Sequence, residues 1–287
     1  MTSGITVTDL SVRIGSATIL DQVSLRAEPG QVTGLIGPNG AGKSTLLAAL
    51  AGDLVPTSGR VALDGVDPVR TPAKQLSRHR AVMLQDTHVA FAFLVRDVVE
   101  MGRRPWAGTH RARGDDTLVD AALAATGVSG LAGRDIMTLS GGERARVALS
   151  RVLVQQAPVV LLDEPTAAMD IRHQEQSLGL LRYLAAAGAA VVVVLHDLNA
   201  AAAYCDRIVC LSEGRVAAAG EVGEVYTEEI LSGVYRWPIQ VLKGPGGLRQ
   251  VAPARGGGEG CLNGQVNLLL GGVRSGNSRE VLALRQG

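Results

Sequence analysis

Residues 37–45 read GPNGAGKST, a glycine-rich run that ends in a lysine and two hydroxyl side chains. The run fits the spacing G-x-x-x-x-G-K-[ST], in which glycines allow a tight turn and a helix begins at the lysine. Backbone N–H groups in such a turn converge on one concavity, and the first helical turn adds further donors. The run therefore predicts a loop that binds the phosphates of a nucleotide. Its residues are Gly37, Pro38, Asn39, Gly40, Ala41, Gly42, Lys43, Ser44 and Thr45.

Two side chains of this loop carry specific chemistry. Lys43 can reach the β- and γ-phosphates of a nucleotide, and the Ser44 hydroxyl can bind Mg²⁺. A charge-assisted hydrogen bond contributes about 1.5–3 kcal/mol, whereas a helix dipole contributes about 0.3–1 kcal/mol. We therefore expect the hydrogen-bond donors, more than the dipole, to determine nucleotide affinity.

A second set of candidate residues follows the apolar run VVLLD at 159–163. Such a run predicts a buried strand, and the carboxyl end of a strand faces the ligand crevice in an open α/β sheet. At that edge Asp163 can hold Mg²⁺ through water, and Glu164 can polarise the attacking water. An apolar run before two acids is a weak pattern by itself, so this assignment depends on the phosphate loop.

The elements that must position these residues follow from the apolar spacing. Residues 5–36 alternate short apolar runs with turns and predict antiparallel strands that lead into one buried strand. Helices and buried strands then alternate, which predicts a mostly parallel sheet with helices on both faces. The predicted segments are a strand at 32–36, a helix at 43–51, a helix at 141–156, a strand at 159–163, a helix at 170–187 and a strand at 189–195.

Two stretches depart from this alternation. Between residue 91 and about residue 138 the apolar spacing is helical, which predicts an inserted helical subdomain. Residues 244–287 contain 12 glycines among 44 residues without a repeat, which predicts a weakly ordered C-terminal extension. We thus expect one domain over residues 1–243. Its core comprises 1–90 and 150–243, and its helical insertion covers about 91–149.

Composition excludes several classes of protein. The 287 residues carry a formal net charge of +1 and only eight aromatic side chains, so the chain has no general attraction to nucleic acid. Three cysteines without a CxxC pair indicate neither a disulfide framework nor a zinc site. The longest apolar run, 184–195, is shorter than the about 20 residues that cross a bilayer. The N-terminus lacks a secretion signal pattern. Any membrane role is therefore expected to act through a partner.

Further motifs stand in a fixed order around the phosphate loop. LSGGE at 139–143 precedes a helix, Gln85 lies in AVMLQD, TAAMD covers 166–170 and His196 lies in VLHDLN. With the phosphate loop and VVLLDEP, these motifs resemble the ATP-binding cassette (ABC) ATPases over residues 5–243. The resemblance implies an α/β fold with a P-loop NTPase (RecA-like) core, an antiparallel β subdomain and an inserted α-helical subdomain.

The resemblance also implies how the residues act. Two copies would form a head-to-tail homodimer that sandwiches ATP between the phosphate loop of one copy and the LSGGE segment of the other. His196 would hold the γ-phosphate and the water, and Gln85 would sense Mg²⁺ and the γ-phosphate. The catalytic residues are then Glu164, His196, Lys43 and Gln85; the metal ligands are Ser44, Gln85 and Asp163; and the nucleotide contacts beyond the loop are Ser140, Gly141, Gly142, Glu143 and Asp170.

Two positions depart from the family pattern. The strand region before the phosphate loop usually carries an aromatic residue that stacks on adenine, and Ile14 aligns there. An aliphatic side chain has no π face, so adenine stacking is expected to be weaker. Met169 replaces a common leucine in TAAMD, which nearly conserves volume and should matter little.

The stretch FAFLVRDVVEMGRRPW at 91–106 resembles importers of haem, ferric siderophores and vitamin B12, although Ala92 and Leu94 replace a usual proline and threonine. The later VYRWPIQV resembles the haem branch in particular. This resemblance implies a peripheral ATPase at the cytoplasmic face of the cell membrane, with transmembrane permease subunits and an external substrate-binding protein.

Ferric siderophore or vitamin B12 import remains open, as does a soluble ABC ATPase that acts on nucleic acid or ribosomes. The single cassette, the short insertion and the net charge of +1 favour transport and no nucleic-acid partner.

Overall fold

The computed structural model describes residues 4–85 and 92–255. Its strands are β1 (Ile5–Ile14), β2 (Ala17–Ala27), β3 (Val32–Ile36), β4 (Ser58–Leu63), β5 (Arg80–Met83), β6 (Val159–Asp163), β7 (Ala190–Val194), β8 (Arg207–Ser212), β9 (Arg215–Glu221), β10 (Ile239–Lys243) and β11 (Arg249–Pro253).

Its α-helices are α1 (Lys43–Ala51), α2 (Ala73–His79), α3 (Val95–Glu100), α4 (Asp115–Ala125), α5 (Gly141–Gln155), α6 (Ile171–Ala186), α7 (Leu198–Tyr204), α8 (Val222–Val225) and α9 (Glu228–Tyr235). Short 3-10 helices lie at Met101–Trp106, His110–Ala112, Ser129–Leu131, Ile136–Thr138 and Pro245–Gly247. Within the ranges that the structure describes, no helix is long and apolar enough to cross a membrane.

The main sheet has the strand order β5-β6-β7-β3-β8-β9, and every neighbouring pair except β8 and β9 is parallel. Each residue of β3, β6 and β7 is buried, because these strands are almost entirely apolar and are covered on both faces. The sequence prediction of a mostly parallel α/β sheet is confirmed. The strands and helices predicted at 32–36, 43–51 and 159–163 have the predicted bounds.

This strand order collects the predicted site residues at one edge. β5, β6, β7 and β3 are parallel neighbours, so their carboxyl ends lie side by side. Gln85 follows β5, Glu164 follows β6, His196 follows β7 and the phosphate loop follows β3. Residues from four distant parts of the chain therefore meet where an open α/β sheet binds its ligand.

A smaller antiparallel sheet, in the order β2-β1-β4, packs with α1 against one face of the main sheet. Helices α5, α6, α7 and α9 contribute to the core on the other face. The antiparallel subdomain that the resemblance implied is therefore present.

The helical insertion has a core of its own, made by α3, α4 and the inner side of α5. Arg103, which is 3% exposed, fastens this insertion to the end of α5. Its guanidinium donates hydrogen bonds to the Val154 carbonyl at 2.9 Å and to Gln156 Oε1 at 3.2 Å, and it pairs with Asp115 at 2.7 Å. A buried arginine with several hydrogen-bond partners makes this junction specific in geometry.

The C-terminal region differs from the sequence prediction. Residues from Gly244 onward were expected to be weakly ordered, but β11 pairs with β10 in an antiparallel hairpin, with Val241 opposite Val251. Glycine composition predicted disorder, whereas the hairpin uses its glycines in the turn, with positive φ at Gly246 and Gly247. The prediction is thus wrong for residues 249–253. Its remainder, 256–287, lies outside the described residues.

Removing residues 256–287 should leave intact the ATP hydrolysis that the resemblance implies. The hydrogen bonds that close the hairpin, from the Ala254 amide to the Pro238 carbonyl at 2.9 Å and from Trp237 Nε1 to the Ala254 carbonyl at 3.2 Å, are all kept by a chain that ends at Arg255. We expect kcat within about twofold of the full chain, because the shortened chain keeps these hydrogen bonds and every residue of the predicted site. Steady-state ATPase assays and thermal melts check this, and a large fall in kcat or Tm would contradict it.

Candidate active site

The phosphate loop follows a path that only glycine can take at its first position. Gly37 has a φ of 144°, and a Cβ atom there would lie 2.2 Å from the Leu211 carbonyl oxygen. Gly42 has a φ of 97°, and its Cβ would lie 2.6 Å from the Leu20 side chain. The loop is therefore pressed against β8 and β2, and any side chain at these two positions would displace it.

Helix α1 begins without a side-chain cap in the described structure, since its N-cap residue is Gly42. By contrast, α5, α6 and α7 begin with Ser140, Asp170 and Asp197, whose side chains accept hydrogen bonds from the first turn. The first N–H groups of a helix require an acceptor. At α1 these donors have no side-chain acceptor, so they suit an anionic ligand.

Lys43 lies beneath the loop and is buried. Its Nζ donates to the carbonyl oxygens of Gly37 at 2.8 Å and Pro38 at 2.9 Å. Burial lowers the pKa of Lys43, and the carboxylates of Glu164 and Asp163 oppose that shift. The ammonium group is thus held between the loop and the acidic end of β6.

Asp163 presents a buried carboxylate beside Ser44. Its Oδ1 atom has no hydrogen-bond partner among the residues that the structure describes, although the residue is only 5% exposed. Burial raises the pKa of Asp163, while a hydrogen bond with the Ser44 side chain lowers it. A buried carboxylate oxygen without a partner is costly unless something binds it. Carboxylate and hydroxyl oxygens are ligands that Mg²⁺ prefers, so these residues fit that ion.

Glu164 is the point at which three predicted catalytic residues meet. Gln85 Nε2 donates to Glu164 Oε2 at 3.0 Å, and His196 Nε2 contacts Glu164 Oε1. The Glu164 backbone has a φ of 48°, in the left-handed region, and its N–H donates to the Val194 carbonyl at 3.2 Å. A left-handed backbone is strained for a residue other than glycine, and such strain is often found at functional sites. A cavity of about 220 Å³ adjoins Glu164 and His196.

The LSGGE segment forms the start of α5. Ser140 Oγ accepts from the Glu143 amide at 3.3 Å, and Glu143 Oε2 accepts from the Ser140 amide and hydroxyl, both at 2.8 Å. These bonds lower the pKa of Glu143 and keep it ionised. The turn packs on the same chain's TAAMD segment, because a Cβ at Gly142 would lie 2.8 Å from the Ala168 carbonyl oxygen.

Asp170 is the N-cap of α6. Its Oδ1 accepts from the His173 amide at 2.9 Å and contacts His173 Nδ1 at 2.8 Å, and the amide bond lowers the pKa of Asp170. This describes a structural use of Asp170, and its predicted role at the nucleotide stays a prediction. Ile14, the aliphatic residue at the adenine position, ends β1 and is exposed.

Sequence reasoning missed two residues that contact the site's framework. Asp197, next to His196, caps α7 by accepting from the Asn199 amide at 2.8 Å and the Ala200 amide at 3.2 Å. An aspartate before an apolar helical run is a recognised start signal and would have identified it. Tyr235 of α9 hydrogen-bonds the backbone of Gly37, although burial still raises the pKa of its phenol. No local pattern predicts that long-range contact.

A groove of about 740 Å³ lies between α6, α7 and the β10–β11 hairpin. Its lining residues include Ile171, Asn199, Leu242 and Val251, and none of the phosphate-loop residues 37–45 lies among them. It lacks the glycine-rich backbone that a phosphate needs, so we assign the nucleotide to the loop and not to this larger groove.

Comparison with known sequences agrees with this geometry. A family model described as ABC transporter matches residues 20–167. The hemin import ATP-binding protein of Nocardia farcinica is 54% identical over 238 residues, which cover 83% of each chain. Its namesake from Streptomyces coelicolor is 52% identical over 82% of this chain and 84% of that protein. The cobalamin import ATP-binding protein of Halobacterium salinarum is 46% identical over 80% of this chain and 58% of that protein.

Solved structures share the fold. A metal-chelate type ABC transporter in an inward-facing conformation aligns with a TM-score of 0.74 and 26% identity, covering 88% of this chain and 98% of that chain. An ATP-binding cassette solved as a dimer with ADP and phosphate aligns with a TM-score of 0.69 and 26% identity, covering 76% and 98%. Both are similar to this chain over nearly their whole length.

Proposed function

This chain belongs to the ABC transporter family as an ATP-binding subunit that hydrolyses ATP, and from that premise we propose that it drives the import of haem (hemin). The observation that carries the nucleotide part is the meeting of four strand ends at one edge, where the Lys43 ammonium lies between the phosphate loop and the acidic end of β6. The haem part is supported by the two hemin import relatives, which are more than 50% identical to this chain.

In this proposal each residue at the edge has a separate task. Lys43 and the first-turn N–H groups of α1, which have no side-chain cap, bind the phosphates. Ser44, Asp163 and Gln85 would hold Mg²⁺, which when bound neutralises charge on the phosphate oxygens. Glu164 takes a proton from the attacking water, and its partly buried carboxylate is oriented for this by Gln85. His196, in contact with Glu164, holds the water and the γ-phosphate.

Two copies of the chain form the working unit. The turn that starts α5 of one copy supplies N–H donors to the nucleotide on the loop of the other, with Ser140, Gly141, Gly142 and Glu143 at the contact and Asp170 nearby. The uncapped start of α1 supplies N–H donors to the same nucleotide from the first copy. The dimeric cassette with ADP and phosphate gives further support. Contacts that need the γ-phosphate are lost when ATP is cleaved, which would let the copies separate.

The chain works with membrane permease subunits at the cytoplasmic face of the membrane, in a complex that also uses an external substrate-binding protein. Three exposed apolar side chains, Phe93, Leu94 and Met137, lie together at the base of the helical insertion and suit such a contact. The Ile136 amide donates to the Phe93 carbonyl at 2.9 Å, and the backbones of Leu94 and Asp135 form an isolated antiparallel β-bridge. These contacts bring residues 93–94 and 135–137 side by side. An exposed apolar group of this kind is typical of an interaction site.

Vitamin B12 import is the second candidate, because a cobalamin import relative is 46% identical. The test is reconstitution of the chain with its native permease and binding protein in proteoliposomes, followed by ATPase assays with hemin, a ferric siderophore or cobalamin. We expect hemin to raise the ATPase rate and the other cargoes to leave it at the basal rate. Stimulation by cobalamin or a ferric siderophore, with none by hemin, would contradict the haem assignment but not the ATPase.

A further inference from the structure

His196, to which the proposed function gives the γ-phosphate and the water, lies directly before the N-cap residue Asp197 of α7. The first turn of this helix is short of internal support, because α7 spans only Leu198–Tyr204. Asp197 caps it from within, by accepting from the Asn199 and Ala200 amides. Two further connections, here called ties, are hydrogen bonds that reach this turn from outside the helix. Both come from the C-terminal part of the chain.

The first tie joins Asn199 to the edge of β11. The Val251 amide donates to Asn199 Oδ1 at 2.7 Å, and Asn199 Nδ2 donates to the Val251 carbonyl at 3.2 Å. One side-chain amide thus forms the pair of hydrogen bonds that a neighbouring strand would form. In the second tie, the Tyr226 hydroxyl donates to the Leu198 carbonyl at 2.8 Å.

The other edge of the hairpin is held by a different helix. The Ile239 amide donates to Ser232 Oγ at 2.9 Å, and the Val241 amide donates to Glu228 Oε1 at 3.2 Å, both on α9. The groove of about 740 Å³ separates the hairpin from the start of α6. The Asn199 pair joins the groove-facing side of the hairpin to the helix that follows His196.

We propose that Asn199 is a positioning residue for ATP hydrolysis, which holds the first turn of α7 against the C-terminal hairpin and so keeps His196 in contact with Glu164. Asn199 itself does not touch the reacting atoms. Only Asp197 and Leu198 separate Asn199 from His196 along the chain. The Asp197 side chain accepts from the Asn199 and Ala200 amides, and the Leu198 carbonyl accepts from the Tyr226 hydroxyl, so a shift of Asn199 is passed to His196 through a short, restrained segment. A small displacement of a catalytic side chain is enough to slow the chemical step strongly.

The phosphate-binding residues stand outside this connection. Lys43 is held by the Gly37 and Pro38 carbonyls of its own loop, and α1 packs on the opposite face of the sheet from α7. Loss of the Asn199 pair should therefore lower kcat and leave KM for MgATP nearly unchanged. That split separates positioning from a loss of nucleotide binding, and the measured Tm and folded fraction separate it from a general loss of folded protein.

The test compares Asn199→Ala with Glu228→Ala in the full-length chain. Each variant removes side-chain hydrogen bonding to one edge of the same hairpin, but only Asn199 connects to the helix after His196. We expect Asn199→Ala to lower kcat about threefold to tenfold with KM within about twofold, an effect in the range of modest misplacement. Glu228→Ala should keep the parental kcat, with Tm measured for both. Asn199→Asp keeps the acceptor for the Val251 amide and should recover part of the rate.

Two outcomes overturn the inference: equal kcat values for Asn199→Ala and Glu228→Ala, or an Asn199→Ala defect that lies only in KM. The inference rests on the role proposed for His196, and His196→Ala tests that role separately. Parental turnover in His196→Ala would refute the proposed role of His196. Loss of turnover in His196→Ala, with a normal Asn199→Ala, would refute only the positioning of His196 by Asn199.

Discussion

The Glu164→Gln variant is expected to lose ATP turnover by at least about 100-fold while it still binds MgATP. The substitution removes the carboxylate that takes a proton from water and preserves the size of the side chain. Its amide can still accept from Gln85 Nε2 and donate to an unprotonated His196 Nε2, so both contacts at the end of β6 remain. The phosphate loop and Lys43 are unchanged, and binding should therefore persist.

In the proposed function, ATP hydrolysis lets the two copies of the dimer separate. A variant that cannot hydrolyse ATP should therefore accumulate as an ATP-bound dimer. Light scattering after size-exclusion chromatography measures this with and without MgATP. Glu100→Gln, which alters an exposed ion pair with Arg96 on α3, is the matched control and should behave as the parent. Turnover at the parental rate would refute the role of Glu164. A monomer in MgATP, even with the permease present, would refute the sandwiched nucleotide.

Much of the site could be predicted because its signals are local. The phosphate loop needs glycine at 37 and 42 for reasons of backbone conformation, and that requirement is written directly in the sequence. The buried strands β6 and β7 are uninterrupted apolar runs, and parallel strands in one sheet end at one edge. Gln85 and His196 could be assigned only through the family resemblance, yet they lie at the ends of β5 and β7, the two strands that flank β6.

What the sequence could not predict depends on contacts between distant segments. The hairpin from Ile239 to Pro253 is held by Asn199 and Glu228, and no glycine count in its turn could reveal those partners. Asp170 and Ser140 illustrate the same limit on a smaller scale, because side chains assigned to the nucleotide also cap helices in the single chain. A motif identifies which residue type stands at a position. Which group that side chain contacts depends on the fold.

The Lys43→Met variant should bind MgATP at least about 100-fold more weakly than the parent. One charge-assisted hydrogen bond is worth about 1.5–3 kcal/mol, or about a 10- to 150-fold change in Kd, and Lys43 can reach two phosphates. The dipole of α1, at about 0.3–1 kcal/mol, is too weak to compensate. Methionine preserves most of the buried volume, so the effect reports the lost cation and not a cavity.

Isothermal titration with MgATP gives this Kd, and circular dichroism checks that the variant is folded. Lys74→Met makes the identical change on α2, away from the phosphate loop, and should leave the Kd unchanged.

Lys43 also donates hydrogen bonds to the Gly37 and Pro38 carbonyls, so Lys43→Met removes an internal support of the loop. Lys43→Arg separates the two effects, because it keeps the charge but cannot keep both contacts of a compact ammonium. If the cation dominates, Lys43→Arg binds MgATP more tightly than Lys43→Met. If the Kd of Lys43→Met for MgATP lies within about threefold of the parental Kd, the Lys43 ammonium group does not dominate phosphate binding, which would contradict the prediction.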